Sequence, residues 1–232
     1  MSSGRDRSIN TTQGSGRIGV QVTGNHRLTE NTFEIRFRRP EGFDFLAGQK
    51  IGIMYDALYR DYSVISPRQS DTLAICVRRI TDGALSPILA DAKTGDRFHI
   101  TSPFGYFLYR PSQSPAVFVA TGTGVAPFVA FAHDGAKDYH LLHGVRSKTE
   151  LYYRDLLSHA AKQYMACLSA HGEKHKIGRD HYDGRVTGFL EHRLPDGHYD
   201  FYLCGRSEML RDATRIIDRR FEGSRIFSEL FF

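Results

Sequence analysis

The sequence predicts an α+β chain of two domains in series: an antiparallel β-barrel, then an α/β domain on a parallel sheet. Three observations carry this. From Ile18 to about Arg110 the apolar residues recur with period two between closely spaced turn residues. After Pro115, apolar runs without alternation are separated by helical patterns. Between the two lies a linker-like stretch, Pro111-Ser112-Gln113-Ser114-Pro115. Alternation marks half-buried antiparallel strands, whereas continuous apolar strands joined by helices mark a parallel sheet covered on both faces. At 232 residues the chain has room for two modest domains. The expected division is a disordered tail at 1–17, a six-stranded barrel at 18–112, and a domain with a five-stranded parallel sheet at 113–232.

In the barrel, Phe33, Ile35 and Phe37 alternate with Glu34, Arg36 and Arg38. Further strands are expected over 50–55, 59–66, 72–80 and 97–101. Turn residues separate them at Gly42, Gly48, Pro67 with Ser70, Asp82-Gly83, and Thr94-Gly95-Asp96. A short helix is expected over 86–92, with Pro87 suited to its first turn. The second domain opens with the apolar run Ala116-Val117-Phe118-Val119-Ala120. A helix over 125–133 follows, then strand 139–142, helix 149–161, strand 165–168, helix 185–192 and strand 201–204. A long helix over 208–221, with Ser207 placed to cap it, and a strand over 225–231 complete the order. No internal repeat is present.

Composition excludes several classes. The chain is 41% hydrophobic and 25% charged, as expected of a globular protein, and no apolar stretch reaches the roughly 20 residues that span a bilayer. Residues 1–17 lack the apolar core of a secretory signal. They read as a disordered tail, a composition shared with organelle transit peptides. Cys76, Cys167 and Cys204 are odd in number, and their spacing fits no zinc or iron–sulfur ligand set. No metal site is expected, and the thiols suit a reduced, cytoplasmic compartment. The net charge of +5 is mild, and no segment is basic enough to demand nucleic acid.

Chemistry concentrates in a few segments. Arg60-Asp61-Tyr62-Ser63 lies in a strand-like run, where alternation sets Arg60 and Tyr62 on one side and Asp61 and Ser63 on the other. A guanidinium there can clamp a pyrophosphate. The aromatic face can pack on a planar ring, and the hydroxyl can hydrogen-bond its edge. An ordinary barrel strand with a surface arginine has the same appearance. Gly83 and Ser86 open the short helix, where free N–H groups and a hydroxyl form an anion site or simply a capped turn. Thr121-Gly122-Thr123-Gly124 follows the strand from Ala116. Its glycines permit either close approach to a ligand or a tight strand-to-helix turn. Pro127 stands where the dinucleotide fingerprint has its third glycine. His143-Gly144-Val145-Arg146 and Cys204-Gly205 end two further parallel strands, at the edge where such sheets bind ligands.

In this order the segments resemble the ferredoxin–NADP⁺ reductase superfamily over about residues 18–232. Arg60 to Ser63 match the family's R-x-Y-S, and Gly83 with Ser86 match G-x-x-S. Gly122 to Phe128 match G-T-G-x-A-P-F, His143 to Arg146 match H-G-V-R, and Cys204-Gly205 match C-G. Glu229-Leu230-Phe231 match the family's terminal E-x-aromatic. The resemblance implies FAD in the barrel domain and NADP(H) or NAD(H) on the α/β domain. It implies that Arg60, Gly83 and Ser86 bind the FAD pyrophosphate. Tyr62 and Phe231 would cover the two flavin faces, and Ser63 would sit near flavin N5. Cys204 and Glu229 would flank the nicotinamide, while Thr121, Gly122, Thr123, Gly124 and Gly205 line the nucleotide channel. Phe231 and Phe232 are paired here, so either could stack.

Ser169-Ala170-His171 replaces the family's Ser-Arg-Glu, so the 2′-phosphate arginine is missing there. Arg146, Lys148, Lys174, Lys176 and Arg185 are the alternatives, with a lean to NADPH from Arg146 and Arg185. The implied activity is electron transfer between NAD(P)H and a ferredoxin or flavodoxin-type carrier, by a monomer without membrane or nucleic-acid partners. A reductase component of an oxygenase, a reductase of free flavin, and a non-enzymatic interaction subunit are the alternatives.

Overall fold

The computed structural model describes residues 16–170 and 180–231. Residues 1–15, 171–179 and 232, with most of the expected tail and His171, Lys174, Lys176 and Phe232, lie outside the described residues.

The first sheet contains β1 (Ile18–Arg27), β2 (Thr32–Arg38), β3 (Lys50–Tyr55), β4 (Leu58–Ser63), β5 (Thr72–Arg78) and β6 (Arg97–Ile100). Its order is β4-β3-β6-β1-β2-β5, all antiparallel. The end strands curl toward each other. Val64 bridges Ile75, and the Ile65 N–H donates to the Ala74 carbonyl at 2.8 Å, so the barrel nearly closes. The alternating residues do as period two demands, and Val22, Ile35, Phe37, Ile51, Ile53 and Ile75 fill the interior. Helix α1 (Ser86–Ala90) carries Pro87 in its first turn.

The second sheet holds β7 (Ala116–Thr121), β8 (His140–Val145), β9 (Gln163–Leu168), β10 (His181–Asp183), β11 (Asp200–Gly205) and β12 (Arg225–Leu230). All are parallel, in the order β10-β9-β8-β7-β11-β12. This is six strands rather than five. The addition, β10, is a three-residue edge strand, too short and too polar to show a period. Among the described residues the sheet is accompanied by α2 (Ala126–His133), α3 (Arg154–Ala160), α4 (Val186–His192) and α5 (Ser207–Arg220).

Two local expectations are corrected. Ser207 is the first residue of α5 rather than its cap. Arg206 holds the cap position, with no side-chain capping bond. The helix expected over 149–161 is instead a short 3-10 turn (Lys148–Glu150) followed by α3, broken at Tyr153, which has φ of 60°. That left-handed backbone costs about 1–2 kcal/mol. It turns the Tyr153 hydroxyl toward the barrel, where it donates to Glu34 Oε2 at 3.0 Å.

The two sheets share a continuous core. Ala47, Ile65, Ala74, Cys76 and Phe107 of the barrel side pack with Phe118, Phe128 and Phe131 of the α/β side. The ring of Phe118 stacks on Phe128 at 4.8 Å and on Tyr139 at 4.4 Å. Helix α2 seals the joint, its His133 Nδ1 lying 2.8 Å from the Ile65 carbonyl.

Candidate active site at the domain boundary

On the barrel, β4 pairs with β3 so that Ser63 lies opposite Lys50 and Tyr62 opposite Ile51. Tyr62 therefore shares a face with the core residue Ile51, and it is half-buried against the barrel interior. Burial pushes its pKa up to about 12. Ser63 takes the other face. It is 1% exposed, and its hydroxyl has no hydrogen-bond partner. Arg60 is exposed, with Nη1 donating to the Tyr59 carbonyl at 2.7 Å. Across the 80–86 loop, the Ile80 N–H donates to Ser86 Oγ at 3.1 Å, which leaves the serine's own proton free. Gly83 packs so closely on Ser86 and Ile80 that a Cβ there would collide with them.

On the α/β side, strand order reverses between β7 and β11. Chain segments leaving the carboxyl ends of those two strands diverge there and leave a crevice. After β7 comes the Gly-x-Gly segment, a 3-10 turn (Gly122–Val125) leading into α2. Its second glycine answers a packing need: a Cβ on Gly124 would strike the Cys204 carbonyl. Gly122 has φ of 55° and lies open, with the Arg78 guanidinium and the Tyr152 hydroxyl its nearest neighbours. Thr121 Oγ1 accepts a bond from the Arg206 N–H at 3.2 Å, so its hydroxyl ties β7 to the turn after β11. His143, fully buried in β8, approaches the Tyr164 hydroxyl at 2.8 Å through Nδ1, while Nε2 has no hydrogen-bond partner. Burial pushes its pKa down to about 4 against a weaker pull from the Gly122 backbone.

The two halves meet at β12. Its register sets Glu229 beside Cys204, and the Phe231 N–H donates to the Gly205 carbonyl at 3.1 Å. Phe231 is half-buried against the cluster that contains Cys204. From the barrel, Lys50 Nζ reaches Glu229 Oε1 at 3.1 Å, with the two side chains 19% and 9% exposed. Glu229 Oε2 is buried and unpartnered. Burial raises the Glu229 pKa, Lys50 opposes that, and the negative charge of Asp61 adds to it. Burial likewise raises the Cys204 thiol, reinforced by Glu229 and opposed by Lys50.

Cys204, Glu229 and Phe231 are thus drawn together on the α/β side, where Lys50 joins them from the barrel, and Ser63 pairs with Lys50 across β3 and β4, with Tyr62 next to it. Arg146 and Arg185 stay outside this cluster. Both are exposed, Arg146 just past β8 and Arg185 at the cap position of α4. Lys50 went unnoticed in the sequence. A lysine opening a strand has no local signal, and its significance lies in a partner from the other domain. Among the described residues, Ser63 Oγ on the barrel and Glu229 Oε2 on the α/β side are buried oxygens without partners. Leaving such groups unsatisfied costs about 1–3 kcal/mol each. A planar ligand with polar edges at the boundary would satisfy them, which is the chemistry of a flavin and a nicotinamide.

Residues 19–109 match the family described as an oxidoreductase FAD-binding domain, and residues 118–215 match the oxidoreductase NAD-binding domain. The chain belongs to the ferredoxin reductase-like superfamily. Among curated relatives, it is 28% identical over 211 residues to the toluate 1,2-dioxygenase electron transfer component of Pseudomonas putida, covering 82% of this chain and 60% of that protein. It is 29% identical over 214 residues to terephthalate 1,2-dioxygenase reductase component 1 of a Comamonas species, covering 86% and 63%. The chain thus spans less than two thirds of the length of these relatives. In fold it is similar to a ferredoxin NADP⁺ reductase from Neisseria gonorrhoeae solved with bound FAD and NADP. There the TM-score is 0.80 at 22% identity, over 93% of this chain and 99% of that one. No helix among the described residues is long and apolar enough to cross a membrane.

Proposed function

We propose that this chain is an FAD-dependent reductase that moves electrons between a nicotinamide dinucleotide and a separate one-electron carrier of ferredoxin or flavodoxin type. The observation that supports this reading is the pairing of Glu229 with Cys204 at the carboxyl edge of the parallel sheet, where Lys50, the strand partner of Ser63, reaches Glu229 from the barrel. FAD, once bound, supplies the exchange between two-electron and one-electron chemistry; the protein supplies orientation and electrostatics.

The functional units are 18–112 for FAD and 113–232 for the dinucleotide, preceded by the tail at 1–17. Arg60, Gly83 and Ser86 hold the FAD pyrophosphate. Tyr62 packs on one flavin face, and Phe231, or Phe232 in its place, covers the other until nicotinamide displaces it. Ser63 donates its free proton to the flavin edge near N5. Cys204 and Glu229 border the nicotinamide, and the orphan Glu229 oxygen is available to it. Thr121, Gly122, Thr123, Gly124 and Gly205 form the channel floor, and Arg146 and Arg185 supply charge for a 2′-phosphate. The chain acts as a cytoplasmic monomer. The names of the relatives favour one variant, the reductase component of an oxygenase system.

The visible spectrum of the desalted protein, followed by anaerobic titration with NADPH and NADH, tests this. Flavin bands that bleach support the proposal, and the better donor identifies the dinucleotide. A colourless protein that turns over only with added flavin favours a free-flavin reductase. No response with flavin present refutes the enzymatic reading.

A further inference from the structure

Lys50 belongs to no motif, yet it is held firmly. Its N–H donates to the Phe104 carbonyl at 2.8 Å, and its own carbonyl accepts from the Phe104 N–H at 2.9 Å. Its ammonium lies 5.7 Å from the centroid of the Phe104 ring. From this root, the side chain crosses the domain boundary to Glu229 Oε1 at 3.1 Å. The carboxylate it meets is equally constrained, because β12 is paired along its length with β11. Among the described residues, three charged or titratable groups act on Glu229: Lys50 on β3, Asp61 on β4 and Cys204 on β11. Of these Lys50 alone carries positive charge. Without it, a carboxylate buried beside another acid would take up a proton.

We propose that Lys50 is a positioning residue: it holds one oxygen of Glu229, keeps the group anionic, and leaves the other oxygen for the nicotinamide beside Cys204. This rests on the reading of Glu229 as a nicotinamide neighbour. It makes Lys50 the barrel's contribution to the nucleotide half of the site, so the carboxylate is in place only when the two domains are packed.

The test uses the full chain as parent, Lys50→Gln, Lys50→Arg, Glu229→Gln and Asp61→Asn. The Glu229 carboxyl is titrated by ¹³C NMR on glutamate-labelled protein, its signal identified by its loss in Glu229→Gln. Asp61→Asn removes the neighbouring negative charge and so tests it as an alternative cause of any shift at Glu229. Lys50→Gln should raise the Glu229 midpoint by about 1–3 pH units, and Lys50→Arg should return it close to the parent value. The acid limb of the flavin-reduction profile should move up by the same amount in Lys50→Gln, and Lys50→Gln should shift nothing further in a Glu229→Gln background. An unmoved Glu229 midpoint in folded Lys50→Gln would overturn the proposal. So would equal effects of the Gln and Arg variants, which would mark Lys50 as packing alone. If the midpoint shifts as expected but no nicotinamide nucleotide reduces the parent, the Lys50–Glu229 coupling stands and the nicotinamide role of Glu229 falls.

Discussion

Acidification from pH 7 to pH 5 should destabilise the α/β sheet through one residue, His143. Its ring is fully buried in β8, edge-on to Tyr152 at 5.7 Å and hydrogen-bonded to Tyr164. Burial depresses its pKa from 6.5 to about 4. The folded pKa lies below the unfolded one, so the unfolded chain binds the extra proton as pH falls. The stabilising contribution is complete above about pH 6.5 and is lost as pH falls through the window down to about 4. One pH unit corresponds to about 1.4 kcal/mol for one proton. The loss is therefore about 2 kcal/mol at pH 5 and about 3 kcal/mol below pH 4.

Because the chain has no tryptophan, urea unfolding is best followed by far-UV circular dichroism at pH 7, 6 and 5. The measured quantity is the difference between parent and His143→Gln, in which pH effects common to both proteins cancel. With a urea slope of about 2 kcal/mol per molar, the parent midpoint should fall about 1 M further than that of the variant between pH 7 and pH 5. Equal falls would refute the argument, by showing that the ring takes up its proton in the folded protein as readily as in the unfolded one.

Other outcomes follow from the same geometry. Ser63→Ala should stabilise the flavin-free protein, by up to about 1–3 kcal/mol, because it removes a buried hydroxyl without a partner, while slowing flavin reduction about tenfold through one lost hydrogen bond; equal rates in stopped flow would remove Ser63 from the flavin edge. Gly124→Ala should destabilise by about 1–3 kcal/mol, because its Cβ meets the Cys204 carbonyl, which a thermal melt would detect as a clear drop. Removing Phe231 and Phe232 should tighten binding of the oxidised dinucleotide severalfold in a calorimetric titration, since the Phe231 backbone is tied to Gly205, next to Cys204; unchanged affinity would mean that the ring does not gate the nicotinamide.

Much of this architecture is legible along the chain because strands report their own burial. Phe33, Ile35 and Phe37 alternate, which makes β2 a barrel strand, and the unbroken run from Ala116 to Ala120 makes β7 a strand covered on both faces. Parallel strands bring their carboxyl ends to one edge, so Thr121 to Gly124 and Cys204-Gly205 are placed on the same edge by the sequence alone. Local period fails where the deciding contact is not local. The left-handed turn at Tyr153 exists to reach Glu34, and the three-residue β10 forms because β9 offers it an edge.

The reason for Gly124 is also tertiary, since the backbone it must admit belongs to β11. Lys50 is the plainest instance. In sequence it is a charged residue opening a strand, and an isolated barrel would leave it in water. Only the packing of one sheet on the other brings Glu229 within 3.1 Å and buries the pair. The amino-acid sequence by itself determined the longer strands, the faces they bury and the segments that share the carboxyl edge of the parallel sheet. The tertiary structure decided which charges meet there, because electrostatic partners are chosen by distance in space and by exclusion of water, and neither is a property of neighbours along the chain.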